Sequence, residues 1–221
     1  MRALLRLVLA VAVLGLVTAA GAQADHLDPQ ERFTRADQAR ARAMLLKRVD
    51  VAPSATQRPA GPPSHATCRA LDESDLVHTG EAWSPEFVLG GVITFSSVAQ
   101  VYRSAAQSAT SWSRVTGAAG TACLKAEFRR GFERQAGVTL ESFRSIPFPR
   151  IAQRTKAYRM VVSARSQGQT VRIYVDVIYF MHTRAQAGIF ITSPIVVPHQ
   201  KAEVRIARIV GGRMAKAMRG A

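Results

Sequence analysis

Residues 170–181 read TVRIYVDVIYFM, an unbroken run with no glycine or proline. Alternation of period two sets Val171, Ile173, Val175, Val177, Tyr179 and Met181 on one face, all apolar. Arg172, Tyr174, Asp176, Ile178 and Phe180 fall on the other, a mixed face. The run reads as a long β-strand, and its surroundings repeat the pattern. Ser166-Gln167-Gly168 and His182-Thr183-Arg184 are turn material on either side. Residues 157–165 and 187–192 are strands beyond those turns, and residues 138–143 form another across Pro147 and Pro149. Links this short join antiparallel neighbours, so the C-terminal half is a four-strand meander.

Upstream, residues 86–89 make a short strand and Gly90-Gly91 a turn before a β-rich run over 92–102. Ser104-Ala105-Ala106-Gln107 has the form of a capping box, opening a helix through Val115 with Trp112 on its apolar side. A second helix over 121–134 places Leu124, Phe128 and Phe132 at spacing i, i+4, i+8. Pro198 precedes a last helix over 200–218. There Val204, Ala207, Ile209, Met214 and Met218 are apolar, and Lys201, Arg205, Arg208, Lys216 and Arg219 lie close to one opposite stripe. Gly211-Gly212 within it permits close approach to the sheet at a cost of about 2 kcal/mol in propensity. The expected class is α+β: a single antiparallel β-sheet of about five or six strands with helices packed on one face.

The N-terminal third is organised differently. Residues 1–24 carry Arg2 and Arg6, an apolar stretch from Leu7 to Val17, and Ala22-Gln23-Ala24 before Asp25, the layout of a secretory signal peptide. The alternative is an uncleaved membrane anchor, for which the apolar stretch is short. Residues 25–50 read as an N-terminal helix opened by Asp28-Pro29-Gln30-Glu31 and running to Val49. Residues 51–67, holding four of the ten prolines, read as a Pro-rich connector. Residues 68–221 are then the main domain. Export places the two cysteines in an oxidising compartment, where a Cys68–Cys123 disulfide is the economical assignment. The alternative redox thiol has no C-x-x-C motif. Closing that loop of about 56 residues is worth roughly 4 kcal/mol on the chain-entropy account.

The 221 residues carry 30 Lys plus Arg against 15 Asp plus Glu, net +15. Arg outnumbers Lys 25 to 5 and asparagine is absent, a skew expected of GC-rich coding, so part of the excess carries no binding message. The charge is uneven: residues 25–50 sum to +1, residues 51–100 to −3 and residues 101–221 to +15. An anionic partner for the C-terminal half follows from this polarity. Nucleic acid does not, because clustered aromatics for stacking are missing and export removes intracellular targets.

From Cys68 to the C-terminus, about 70% of the chain, the order of elements resembles the PknH-like extracellular sensor domains of actinobacteria. The strand VITFSSVAQVY (92–102), a helix holding Trp112, ACLKAEF (122–128), FPRIAQRTKAYRM (148–160) and VRIYVDVI (171–178) carry the likeness. The end of the last helix, Ile209-Val210-Gly211-Gly212-Arg213-Met214, completes it. The resemblance implies a free-standing secreted member that presents a cleft to an extracellular ligand. The chain departs from the family in having no kinase domain, no lipobox and one cysteine pair where two are common.

Catalytic signatures are absent: no G-x-S-x-G, H-E-x-x-H, Walker or G-x-G-x-x-G motif occurs. His26, His65, His78, His182 and His199 are scattered, without metal-ligand spacing, and read as solvated or loop histidines. Asp72, Glu73 and Asp75, with Glu81 and Glu86 beyond, read as a solvated acidic turn. The chain is therefore expected to be non-enzymatic, with no metal and no cofactor. The ligand-binding candidates are Arg172, Tyr174 and Asp176, adjacent on the mixed strand face, with Arg159 opposite them. If helices cover the apolar face, these residues line an open groove for an anionic group. The plainer alternative is a solvent-facing sheet side with a cross-strand Arg–Asp pair. A basic protein adhering to anionic envelope polymer or lipid is the second functional reading, and an unrecognised secreted hydrolase the third.

Overall fold

Pairing of short backbone segments, which hydrophobic pattern does not reveal, decides how far the sheet extends. The computed structural model describes residues 27–60, 68–166, 168–194 and 196–220. In chain order the elements are β1 (Gln30–Glu31), α1 (Arg35–Met44), α2 (Arg48–Val51), β2 (Thr56–Arg58), β3 (Val77–Trp83), β4 (Glu86–Leu89) and β5 (Ile93–Tyr102). Then follow α3 (Ala105–Thr116), α4 (Ala118–Glu133), β6 (Val138–Ile146), β7 (Arg154–Ser166), β8 (Gln169–His182), β9 (Ala185–Pro194) and α5 (Gln200–Ala217).

The four-strand meander is present. β6, β7, β8 and β9 pair antiparallel in sequence order, with thirteen residues of β7 matched to β8 from Arg154↔Met181 to Ser166↔Gln169. The rest of the sheet corrects the expected class. It is one mixed sheet of nine strands in the order β1-β3-β5-β9-β8-β7-β6, with β4 on β5 and β2 on β4. β1 runs parallel to β3, so the sheet is neither wholly antiparallel nor limited to five or six strands. The three extra strands come from segments read as helix, connector and turn. Gln30 N donates to Leu76 O and Arg32 N to His78 O, both at 2.9 Å, and these bonds override the helical signal of Asp28-Pro29. Helix α1 starts instead at Thr34, whose hydroxyl accepts from Asp37 N at 3.1 Å, and it ends at Met44 rather than Val49. β2 takes three residues of the expected connector, whose residues 61–67 lie outside the described residues, as does the candidate signal segment 1–24. β3 carries no regular alternation, its pairing with β5 being broken by a bulge between His78 and Gly80.

Helices also cover both faces, not one. On the first face α1 and α5 lie over Ile178, Phe180, Ile189 and Ile191, delivering Ala41, Met44, Ile206, Val210 and Met214 to one buried cluster. Each of these larger side chains contributes about 2 kcal/mol of burial. Gly211 is buried in α5 where a Cβ would come within 2.6 Å of Ile151 Cγ2, so the close approach expected of Gly211-Gly212 is made by its first member, though to a loop residue. On the second face α4 brings Phe132 to Val138, Leu140, Met160, Val162 and Val177. The mixed face of β8 thus holds the larger core, and the wholly apolar face lies beneath α3 and α4.

The Cys68–Cys123 disulfide joins the chain before β3 to α4, with Cα atoms 6.2 Å apart. Beside it Gly120 passes so close to the end of α3 that a Cβ would overlap Arg114 O. Among the described residues no helix is long and apolar enough to cross a membrane.

Candidate anion-binding groove

The register places the four expected ligand residues where strand alternation put them. Arg159 faces Asp176, Val161 faces Tyr174 and Ser163 faces Arg172. The face they occupy is closed in part by α5. Asp176 is wholly buried and takes Arg159 Nε on Oδ1 at 2.7 Å and Arg159 Nη2 on Oδ2. Arg172 Nε reaches across to Glu141 Oε2 on β6 at 3.0 Å, exposed at the sheet edge. Tyr174 stands half-buried between these pairs. The four residues share one face but divide into a sealed pair and a solvated one, not a single open cradle.

Above Asp176, α5 sets down Glu203, which is 2% exposed and has neither carboxylate oxygen hydrogen-bonded. Burial, then the neighbouring Asp176, pushes its carboxyl up to about 8. The exposed basic stripe of α5 (Lys201, Arg205, Arg208, Lys216) lies on the opposite, solvent side of the helix, with exposed Arg219 just past its end.

A second polar cluster contains the histidine that the sequence left on the surface. His78 is 1% exposed on β3, its Nδ1 3.2 Å from Glu81 Oε2 and its ring edge-on to Tyr102. Tyr102 OH lies 2.7 Å from Ser111 Oγ and donates to Glu73 Oε2 at 3.3 Å. Burial pushes the Glu73 carboxyl up and the Tyr102 phenol well up. Glu73 is therefore no solvated turn residue, although Asp72 and Asp75 are: they bind Ser74 and Arg114. The cluster joins a histidine to carboxylates, but in this conformation it is closed to substrate beneath α3. Among the described residues no group of His, Cys, Asp and Glu has a metal-binding arrangement.

Free positive charge meets free space elsewhere, between the first turns of α4 and the β6–β7 hairpin. A groove of about 420 Å³ lies there, with Thr116, Thr121 and Lys125 on its helix side and Phe143, Arg144, Ser145, Lys156 and Tyr158 on its sheet side. Ser145 and Tyr158 are cross-strand partners, and Lys156, two residues along β7, shares their face. Tyr158 OH is 3.2 Å from Thr121 Oγ1, and Lys156 Nζ sits 5.8 Å from the Tyr158 ring centroid. Among the described residues, neither lysine nor Arg144 has an ion-pair partner. Phe143 stacks on Phe128 at 6.0 Å and on Tyr158 at 5.3 Å. Phe143 is thus part of one aromatic stack with Phe128 and Tyr158. Chemically the groove offers two ammonium groups and several hydroxyls to an anion. Sequence reasoning missed it because Lys125 and Lys156 meet only when α4 packs on the meander. The Lys156-x-Tyr158 spacing on one strand was its sole local trace.

Fold and groove together define an α/β/α protein with a basic recess that Phe143 and Tyr158 help to line. No protein-family model and no curated protein matches the chain, so the likeness to PknH-like domains remains a resemblance. Two solved structures are similar at low level. LpqN of Mycobacterium tuberculosis, involved in cell envelope biogenesis, is 7% identical with a TM-score of 0.30, covering 68% of this chain and 96% of its own. PA94 of Pseudomonas aeruginosa, a protein of unknown function, is 14% identical with a TM-score of 0.25, covering 63% of this chain and 82% of its own.

Proposed function

We propose that this chain is an extracytoplasmic, non-enzymatic binding domain that holds an anionic group of its ligand between Lys125 and Lys156. The observation that carries the reading is a pair of lysines with no ion-pair partner among the described residues, beside clustered hydroxyls in one groove. Elsewhere in the protein, inward-facing basic groups such as Arg159, Arg184 and Arg213 have their carboxylates. Supporting it are the signal-like residues 1–24, the disulfide, and the resemblance to free-standing PknH-like sensor domains. The second reading, adhesion to anionic envelope polymer by diffuse charge, draws on the exposed basic stripe of α5.

Titration with inorganic pyrophosphate separates the two. Removing both charge-assisted contacts in Lys125→Ala/Lys156→Ala is expected to cost at least tenfold in affinity, and Lys201→Ala/Lys216→Ala on α5 little. The reverse ranking, with a steep loss of binding between low and physiological salt, would favour the adhesion reading instead.

A further inference from the structure

We infer that the helical layer on the first sheet face docks the protein on an anionic lipid bilayer. The inference is independent of the groove, which lies on the second face. It starts from the way charge is sorted in α1, α2 and α5. Each of these helices holds one acidic residue, Asp37, Asp50 and Glu203 in turn, and all three are buried. Asp37 and Asp50 pair with Arg184 and Arg213, and Glu203 lies over Asp176. Every exposed charge of the three helices is therefore positive. Arg35 and Arg42 stand on α1, Lys47 and Arg48 at the start of α2, and the stripe from Lys201 to Lys216 on α5. An ordinary solvated surface intersperses both signs.

Apolar side chains protrude from the same layer. Five large hydrophobic residues are exposed among the described residues, and four belong to these helices or to the links leading into them. They are Phe33 before α1, Val49 on α2, and Val196 and Val197 before α5. Val49, 66% exposed, is fixed beside the basic stripe. Arg213 of α5 holds the chain on both sides of it, donating to Leu45 O at 2.9 Å and to the two Asp50 carboxylate oxygens at 2.6 and 2.7 Å. Arg205 Nη2 reaches Val51 O at 3.4 Å. Val196 and Val197, 64% and 44% exposed, stand between Pro194 and Pro198, just ahead of Lys201. Positions held in these ways lose little conformational freedom on entering an interface.

Charge and apolar exposure together select the occupant. A hydrated anionic polymer would meet the arginines and lysines but leave Val49, Val196 and Val197 in water. A lipid leaflet takes both, its headgroup phosphates meeting the bases and its acyl boundary receiving the protruding side chains. Each Lys or Arg near an anionic leaflet is worth about fivefold in affinity. Docked by this layer, the protein turns the Lys125–Lys156 groove, on the other face of the sheet, away from the lipid.

The test is sedimentation of the full chain with vesicles of phosphatidylcholine alone, or with about a third of phosphatidylglycerol. A polarity-sensitive fluorophore is attached in turn to Val49→Cys, to Val196→Cys and, at the end of α4, to Glu133→Cys. Binding to the anionic vesicles is expected, with blue-shifted emission at positions 49 and 196 and none at 133. Arg208→Glu/Lys216→Glu should weaken that binding by at least about twentyfold. Lys125→Ala/Lys156→Ala should leave it within about twofold, since charges beyond a Debye length of the surface are screened. Residues 1–24 are common to every variant, so the shift at positions 49 and 196 reports on the layer itself. Sedimentation without that shift, or with equal binding to both vesicles, overturns the inference. Polyglutamate bound as tightly as the anionic vesicles, with no shift at either position, assigns the layer to a polymer and also overturns it. Failure to bind any vesicle overturns it and leaves the groove standing.

Discussion

Asp37 on α1 receives both terminal nitrogens of Arg184, from the turn between β8 and β9, at 2.8 and 2.9 Å and across 147 residues of sequence. Arg184 Nη1 also donates to Tyr102 O at 3.0 Å, so one guanidinium fastens the N-terminal helix to the middle of the sheet. Burial opposes ionisation of Asp37, but hydrogen bonds from Arg184, Thr79 and Arg40 outweigh it and hold the carboxyl far below the usual carboxylate range. The side chains are only 7% and 17% exposed, so solvent screens the pair little.

Asp37→Ala is therefore expected to cost about 3 kcal/mol at neutral pH, since it strands a buried cation. The folded pKa is depressed, so this stability is present above the ordinary carboxylate value and is lost as pH falls through the folded one. Urea unfolding of wild type and variant at neutral pH and near pH 2 checks both parts. A gap that does not narrow on acidification counts against the assignment.

That ion pair marks what the sequence could and could not disclose. Residues 170–181 declared their strand because alternation is a local property, and the Arg159–Asp176 pairing followed from the adjacent turn. Ser104 likewise announced α3 and accepts from Gln107 N at 3.2 Å. The first strand was illegible because Gln30 and Glu31 are strand only by virtue of the β3 edge beside them. The periodicity of α5 gave it an apolar stripe but not the sheet face on which that stripe would land. Once Ile206, Val210 and Met214 take the mixed face, Asp176 is wholly buried and Arg159 pairs with it partly covered. The groove was hidden for a related reason, since its lysines belong to elements joined only by tertiary packing.

The Arg159–Asp176 and Arg172–Glu141 pairs should separate by stability. Arg159→Ala leaves the wholly buried Asp176 without its partner and is expected to cost about 3–5 kcal/mol. Arg172→Ala breaks a pair whose side chains are 63% and 32% exposed, and should change stability by less than about 1 kcal/mol. Chemical unfolding of the two single variants decides. Equal, small losses would mean that the Arg159 pair is not the sealed contact described.

Glu203 gives the protein an alkaline sensitivity opposite in sign to that of Asp37. The groups facing it are Asp176 from β8 and, more distantly, Arg159 from β7; burial and the Asp176 charge raise its carboxyl from 4.5 to about 8. At neutral pH it is protonated in the fold, whereas the unfolded chain has already released that proton. Folding therefore binds a proton between these values, and stability falls as pH rises from about 4.5 through about 8. Above that window α5 holds a second negative charge over Asp176. Glu203→Gln keeps the shape of the protonated acid and cannot ionise. Its melting temperature should match that of wild type near pH 4 and exceed it near pH 9, by an amount equivalent to a few kcal/mol. Thermal melts of both proteins across that range measure the difference directly. Parallel curves would show that Glu203 does not titrate within the fold.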